Sequence, residues 1–209
     1  MNAPRSPQHL LLYGGTFDPI HHGHLIPAQR ARELLDADRI LLLPANRSPH
    51  KLKQDPGASA AQRLEMLRLA IAHAPHFAID PRELDRPGPS YTIDTLEQLH
   101  SQHPHARLTL LLGVDQLSML HAWHRVREIL ARATIALLPR PGIPLPDFSA
   151  IAGHLGNTVA ESMERAILDT PLINLSATGI RARARAGLPL TFLVPPAVET
   201  YIRETSLYR

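Results

Sequence analysis

The chain has 209 residues, 44% hydrophobic and 20% charged, with no cysteine and a formal charge of +3 beside 13 histidines. The composition is that of a globular protein, and the missing cysteine excludes disulfides, thiolate metal sites and a cysteine nucleophile. Lys and Arg (22) barely exceed Asp and Glu (19), so the dense basic patch of a nucleic-acid binder is absent and a small phosphorylated ligand is the easier partner.

In chain order, LLLYG (10–14) reads as a strand broken at Gly14-Gly15. LIPAQRARELLDA (25–37) has helical spacing at Leu25, Ala28, Ala31, Leu34 and Leu35. RILLLP (39–44) is a second strand, and 59–74 a strong helix with Ser59 as its N-cap. FAID (77–80) reads as a short strand, 90–103 as a helix, RLTLLLG (107–113) as a buried strand and 118–132 as a helix. TIALLP (134–139) is another strand, and the Pro- and Gly-rich stretch 139–157 reads as a surface excursion. A last strand is expected at 171–176, then helices at 176–186 and 195–204.

Strand and helix alternation predicts an α/β fold: a Rossmann-like, doubly wound, mainly parallel sheet with helices on both faces and a C-terminal helical portion at 176–209. One domain of 1–209 is the expectation from this length. No stretch approaches the ~20 apolar residues of a membrane helix, and the apolar run before the glycines is too short for a signal peptide. A cytoplasmic protein with no membrane and no nucleic-acid partner is therefore expected. Ligands of such sheets bind beyond the C-terminal strand ends, so the loops after Gly15, Pro44, Gly113 and Pro139 should converge on one cleft.

The segment LLYGGTFDPIHHGH (11–24) carries the densest chemistry. Gly14-Gly15 allows close backbone approach by a ligand, and a helix N-terminus just downstream suits an anion. The stretch is neither a G-x-G-x-x-G nor a P-loop fingerprint. His21 and His24, three apart, share a face if the helix begins near His22. Other readings stay open at this point: a structural histidine, above all His22; a zinc pair, although no cysteine or H-E-x-x-H pattern accompanies it; or a turn without function.

GGTFDPIHHGH resembles the signature of the nucleotidyltransferases that carry a (T/H)-x-G-H motif, here His21 to His24. Their second signature, I-S-S-T-x-I-R, is matched by LSATGIR (175–181), with Ala177 where serine is more usual. PANRSPHK (44–51), RPGPSYTIDTL (86–96), LLGVDQLSMLHAWHR (111–125) and the final segment are similar to those of bacterial nicotinate-mononucleotide adenylyltransferases. That resemblance spans essentially the whole chain.

It implies an enzyme joining nicotinate mononucleotide to ATP, giving deamido-NAD and pyrophosphate by direct attack on the α-phosphorus. His21, His24 and Arg181 would be catalytic, stabilising charge on the departing pyrophosphate. Gly14, Gly15, Thr16 and Phe17 would offer backbone donors to the ATP phosphates, with Ser176 and Thr178 at a helix start. Gly113 and Asp115 would meet the adenosine. Arg47 and Lys51 would hold the mononucleotide phosphate, with His50 on the same loop. Ser90, Tyr91 and Thr92 would receive the nicotinate carboxylate, and Trp123 would stack on its ring. Mg²⁺ is implied as an ion bound through the ATP phosphates, with no metal ligand from the protein. Monomer and homodimer are both left open.

Overall fold

The structure is a computed structural model and describes residues 8–46 and 57–209. Five strands form one parallel sheet: β1 (His9–Gly15), β2 (Arg39–Pro44), β3 (Phe77–Ile79), β4 (Arg107–Gly113) and β5 (Thr134–Leu138), in the order β3-β2-β1-β4-β5. Leu12 pairs with Leu41 on one side and Leu110 on the other. Strands buried on both faces need continuous apolar runs, and LLLY, ILLL and LTLLL supply them.

The strand alternation splits these runs between two cores. Leu11, Ile40, Leu42 and Leu111 face one side, packed by α1 (His22–Leu34), α2 (Ala60–Ile71), α8 (Ala177–Arg185) and α9 (Pro196–Glu204). Leu10, Leu12, Leu41 and Leu110 face the other, packed by α4 (Thr92–Gln102), α5 (Val126–Arg132), α6 (Phe148–Leu155) and α7 (Asn157–Arg165). A single-turn α3 (Arg82–Asp85) precedes α4. The expected α/β architecture with helices on both faces is present. Ser59 caps α2, its Oγ accepting from Gln62 N at 3.2 Å while Gln62 Oε1 accepts from Ser59 N at 2.9 Å, a reciprocal capping box.

Three expected elements differ. The helix over 118–132 is two pieces: a 3₁₀ segment Val114–Ala122, then α5 after a break at Trp123 and the left-handed Arg125 (φ 54°). Val114, Leu117 and Leu120 recur every third residue and are all buried, and three residues per turn is the 3₁₀ period. The excursion at 139–157 is only partly loop. Asp147 accepts from Ser149 N at 2.9 Å and starts α6; Ile151 and Leu155, then Ala160 and Met163 of α7, enter the core. The strand at 171–176 does not form. Pro171 opens it and Leu172 is 63% exposed; instead Ala166–Leu168 flanks β5, with Leu137 N donating to Ala166 O and Leu168 N to Leu137 O.

Candidate active site

Strand order reverses between β1 and β4, and in doubly wound sheets that reversal opens a crevice beyond the C-terminal strand ends. A cleft of about 1500 Å³ lies there. It is lined by Gly14, Gly15, Thr16, Phe17, His21 and His24 from β1 and the start of α1, and by Gly113, Asp115 and Trp123 from the chain after β4. Ser90, Tyr91 and Thr92 at the start of α4, and Ser176, Thr178 and Arg181 at the start of α8, complete the wall. Distant stretches of sequence thus meet in one place. Arg47, His50 and Lys51 lie outside the described residues.

His21 is the N-cap of α1, in an extended conformation, and its ring stacks on that of His24 with centroids 3.7 Å apart. His21 N donates to His24 Nδ1 at 3.3 Å. A Cβ on Gly23 would come within 2.9 Å of His21 Nδ1 and 3.2 Å of Leu175 Cβ, so the glycine between the histidines leaves room for the stack. His21 is 2% exposed. Burial above all, then the nearby charges of Arg140 and His22, lowers its pKa from 6.5 to about 4, and desolvation disfavours the imidazolium. It therefore meets an anion as a neutral hydrogen-bond donor. Phe17, left-handed at φ 51°, packs its ring edge-to-face with both Tyr13 and His24, and it lines the cleft in a backbone conformation that is costly for a residue other than glycine.

Across the cleft, Ser176 caps α8, its Oγ accepting from Gly179 N at 3.1 Å. A capped helix start is electropositive. Arg181 lies one turn in. Its Nη2 donates to Thr178 Oγ1 at 3.3 Å, its Nη1 to the backbone oxygen of Asp18 at 2.7 Å, and Nη1 lies 3.7 Å from the Asp18 carboxylate.

After β4, Asp115 pairs with Arg140 (Oδ1 to Nε, 3.1 Å). The pair lies flat against Gly113, where an added Cβ would stand 2.7 Å from Arg140 Nε. The glycine gives this strand end its clearance. On the far side, Ser90 is buried and its Oγ accepts from Asn46 N at 3.1 Å. Arg86 donates to Tyr91 O at 3.3 Å and to Thr95 Oγ1 at 3.2 Å, and Thr95 donates to Glu83 at 2.8 Å. Burial raises the Glu83 pKa against the lowering effect of those donors. The Tyr91 ring leans on His124 with centroids 4.6 Å apart. Trp123 stands at the break before α5 rather than within a helix.

Sequence reasoning passed over Asp18, Arg63, Glu83, Arg86 and Arg140, all at or behind this wall. Arg63 is 1% exposed and donates through Nη1 to Thr16 O (2.8 Å) and Ala45 O (2.9 Å), tying the loops after β1 and β2 together. A signal existed: an arginine four residues before Leu67 and three before Met66 sits on the apolar stripe of its helix. Among the described residues no group of three or more His, Asp or Glu side chains could hold a metal ion, and no helix is long and apolar enough to cross a membrane.

The cytidylyltransferase-like family model matches residues 12–183. A protein of Herpetosiphon aurantiacus named as a nicotinate-nucleotide adenylyltransferase is 41% identical over 96% of this chain and 98% of its own length. A protein of Pectobacterium atrosepticum with the same name is 39% identical over 97% and 100%. Among solved structures, the nicotinic acid mononucleotide adenylyltransferase of Plasmodium falciparum in complex with NaAD superposes with a TM-score of 0.74, covering 96% of this chain and 97% of the other, at 16% identity. At that identity the match speaks for the fold alone.

Proposed function

The chain belongs to the nicotinate-nucleotide adenylyltransferases of the cytidylyltransferase-like family, and from that premise we propose that it joins nicotinate mononucleotide to ATP, giving deamido-NAD and pyrophosphate. The observation that carries the reading is the convergence of His21, His24 and the α8 start with Arg181 on one cleft. Its volume suits two nucleotides side by side.

The mononucleotide phosphate attacks the α-phosphorus of ATP in line, with no covalent enzyme intermediate. Such chemistry asks the protein for positioning and for charge stabilisation. His21 and His24 donate hydrogen bonds to the phosphates as charge moves onto pyrophosphate. Gly14 to Phe17 bring backbone donors to the same oxygens, while Ser176, Thr178 and Arg181 receive the distal phosphates at a positive helix end. Gly113 and Asp115 take the adenosine. Ser90, Tyr91 and Thr92 offer donors at the start of α4, where an acid gains more than a neutral amide, and Trp123 stacks on the pyridine. Arg47 and Lys51 complete the mononucleotide phosphate site.

Mg²⁺ fits this site as an ion carried by the ATP phosphates, where it neutralises their charge and keeps several waters. The donor set on the protein, dominated by imidazole, guanidinium and backbone N–H, favours phosphate oxygens over a bare cation. The whole chain works as one domain in the cytoplasm, a reading supported by helices α8 and α9 sharing the core of β1 and by the absence of cysteine.

The test is incubation with ATP, Mg²⁺ and either the acid or the amide mononucleotide, with identification of the product. Deamido-NAD and pyrophosphate, formed with the higher kcat/KM for the acid, are expected. A preference for the amide would overturn the substrate assignment.

A further inference from the structure

Asp18 is 4% exposed, and its carboxylate is occupied on every side. Oδ2 accepts from Gly57 N at 2.8 Å, and Oδ1 from Ala58 N at 3.1 Å and from the Tyr208 hydroxyl at 2.7 Å. Arg181 stands next to this cluster, bonded to the backbone oxygen of Asp18 and 3.7 Å from its carboxylate. Tyr208 is 7% exposed, and both Ser206 and Tyr208 take the left-handed conformation, at φ 52° and 71°. That conformation is costly for residues other than glycine and persists where the surroundings over-determine it. Burial and the adjacent carboxylate push the Tyr208 phenol up, so the hydroxyl stays a donor.

A buried carboxylate keeps all the donors it can find. With Gly57 N, Ala58 N and Tyr208 as donors, Asp18 leaves the Arg181 guanidinium on its backbone oxygen and at the cleft. Without the hydroxyl, Oδ1 keeps a single donor and the carboxylate is under-satisfied, with Arg181 Nη1 already 3.7 Å from its other oxygen, Oδ2. We infer that Tyr208 is a positioning residue for the nucleotide site: its hydroxyl satisfies Asp18 and thereby keeps the Arg181 guanidinium at the cleft, where it would bind the triphosphate.

This rests on the proposed adenylyltransferase reading. The experiment is a double-mutant cycle of Tyr208→Phe and Arg181→Ala, reading KM for ATP, KM for the mononucleotide and kcat, with melting temperature alongside. Tyr208→Phe keeps the ring over Gly57. It should raise KM for ATP by about tenfold, the order of one lost charge-assisted hydrogen bond, and leave KM for the mononucleotide within about twofold. In the Arg181→Ala background the same change should add almost nothing, since the effect passes through that guanidinium. Additive losses, or equal rises in both KM values, would overturn the inference while leaving the activity intact. Asp18→Asn supplies a second arm should Tyr208→Phe unfold: with no carboxylate left to draw the guanidinium away, KM for ATP should stay within about twofold, and a tenfold rise that depends on Arg181 counts against the inference. Wild-type protein without turnover would remove the parent reading and this one with it.

Discussion

The imidazole rings of His21 and His24 stack with centroids 3.7 Å apart and their planes 26° from parallel. His21 is the buried member of the pair, and burial above all lowers its pKa to about 4.

Acid should therefore weaken the fold through this residue. The unfolded chain takes up the proton near pH 6.5 and the folded state only near 4, so the stabilisation is whole above pH 6.5 and is lost as pH falls from 6.5 to about 4. The slope approaches about 1.4 kcal/mol per pH unit for one such group. Melting curves between pH 7.5 and 4.5 should fall more steeply for the wild type than for His21→Gln. Parallel curves would show that His21 ionises freely in the folded protein.

Gly113 tests the adenosine side. Gly113→Ala would drive a methyl into the Asp115–Arg140 pair. Both partners are about a third exposed, so they shift at little cost to stability. KM for ATP should rise by about tenfold, with the melting temperature nearly unchanged; one tenfold step corresponds to about 1.4 kcal/mol of binding. An unchanged KM would remove Asp115 from nucleotide binding.

Arg63 tests the scaffold. Arg63→Leu leaves the carbonyls of Thr16 and Ala45 without their buried donor, at a cost of about 3 kcal/mol. For a chain of this length that lowers the melting temperature by roughly 6–12 °C. Arg63→Lys should recover little, since both bonds leave the terminal Nη1 and the lysine side chain is one bond too short to place its nitrogen there. Full rescue by lysine would mean that charge alone matters there.

The parts of the fold that were legible in the sequence are those in which one local signal decides the outcome. The runs around Leu12, Leu42 and Leu111 marked three central strands, and Ser59 marked the start of α2. The 3₁₀ segment escaped because a three-residue apolar spacing also fits a helix. At 139–157, proline count masked the Asp147 cap and the apolar pairs of α6 and α7. The cleft-lining residues that lie in motifs could be named in advance, but the side chains packed behind them could not. Glu83, Arg86 and Arg140 act through partners that only the folded chain brings near, and Asp18, though inside the opening motif, reveals its role only beside Gly57 and Tyr208.

Arg86→Lys tests the proposed mononucleotide subsite separately from the ATP side. It holds the Tyr91 carbonyl and Thr95, and its own carbonyl accepts from Asn46 Nδ2 at 3.2 Å. Arg86→Lys should loosen the start of α4, raising KM for nicotinate mononucleotide about tenfold with KM for ATP within about twofold. Equal changes in both would assign Arg86 a role in the fold rather than in that subsite.

The most direct test of the account is kcat for His24→Ala with ATP and nicotinate mononucleotide at saturation. A donor aimed at charge that develops as pyrophosphate leaves is worth about 10²- to 10³-fold in kcat, and a fall of that size with little change in either KM is the predicted result. A variant turning over at near the wild-type rate would contradict it, and with it the role of the stacked histidines.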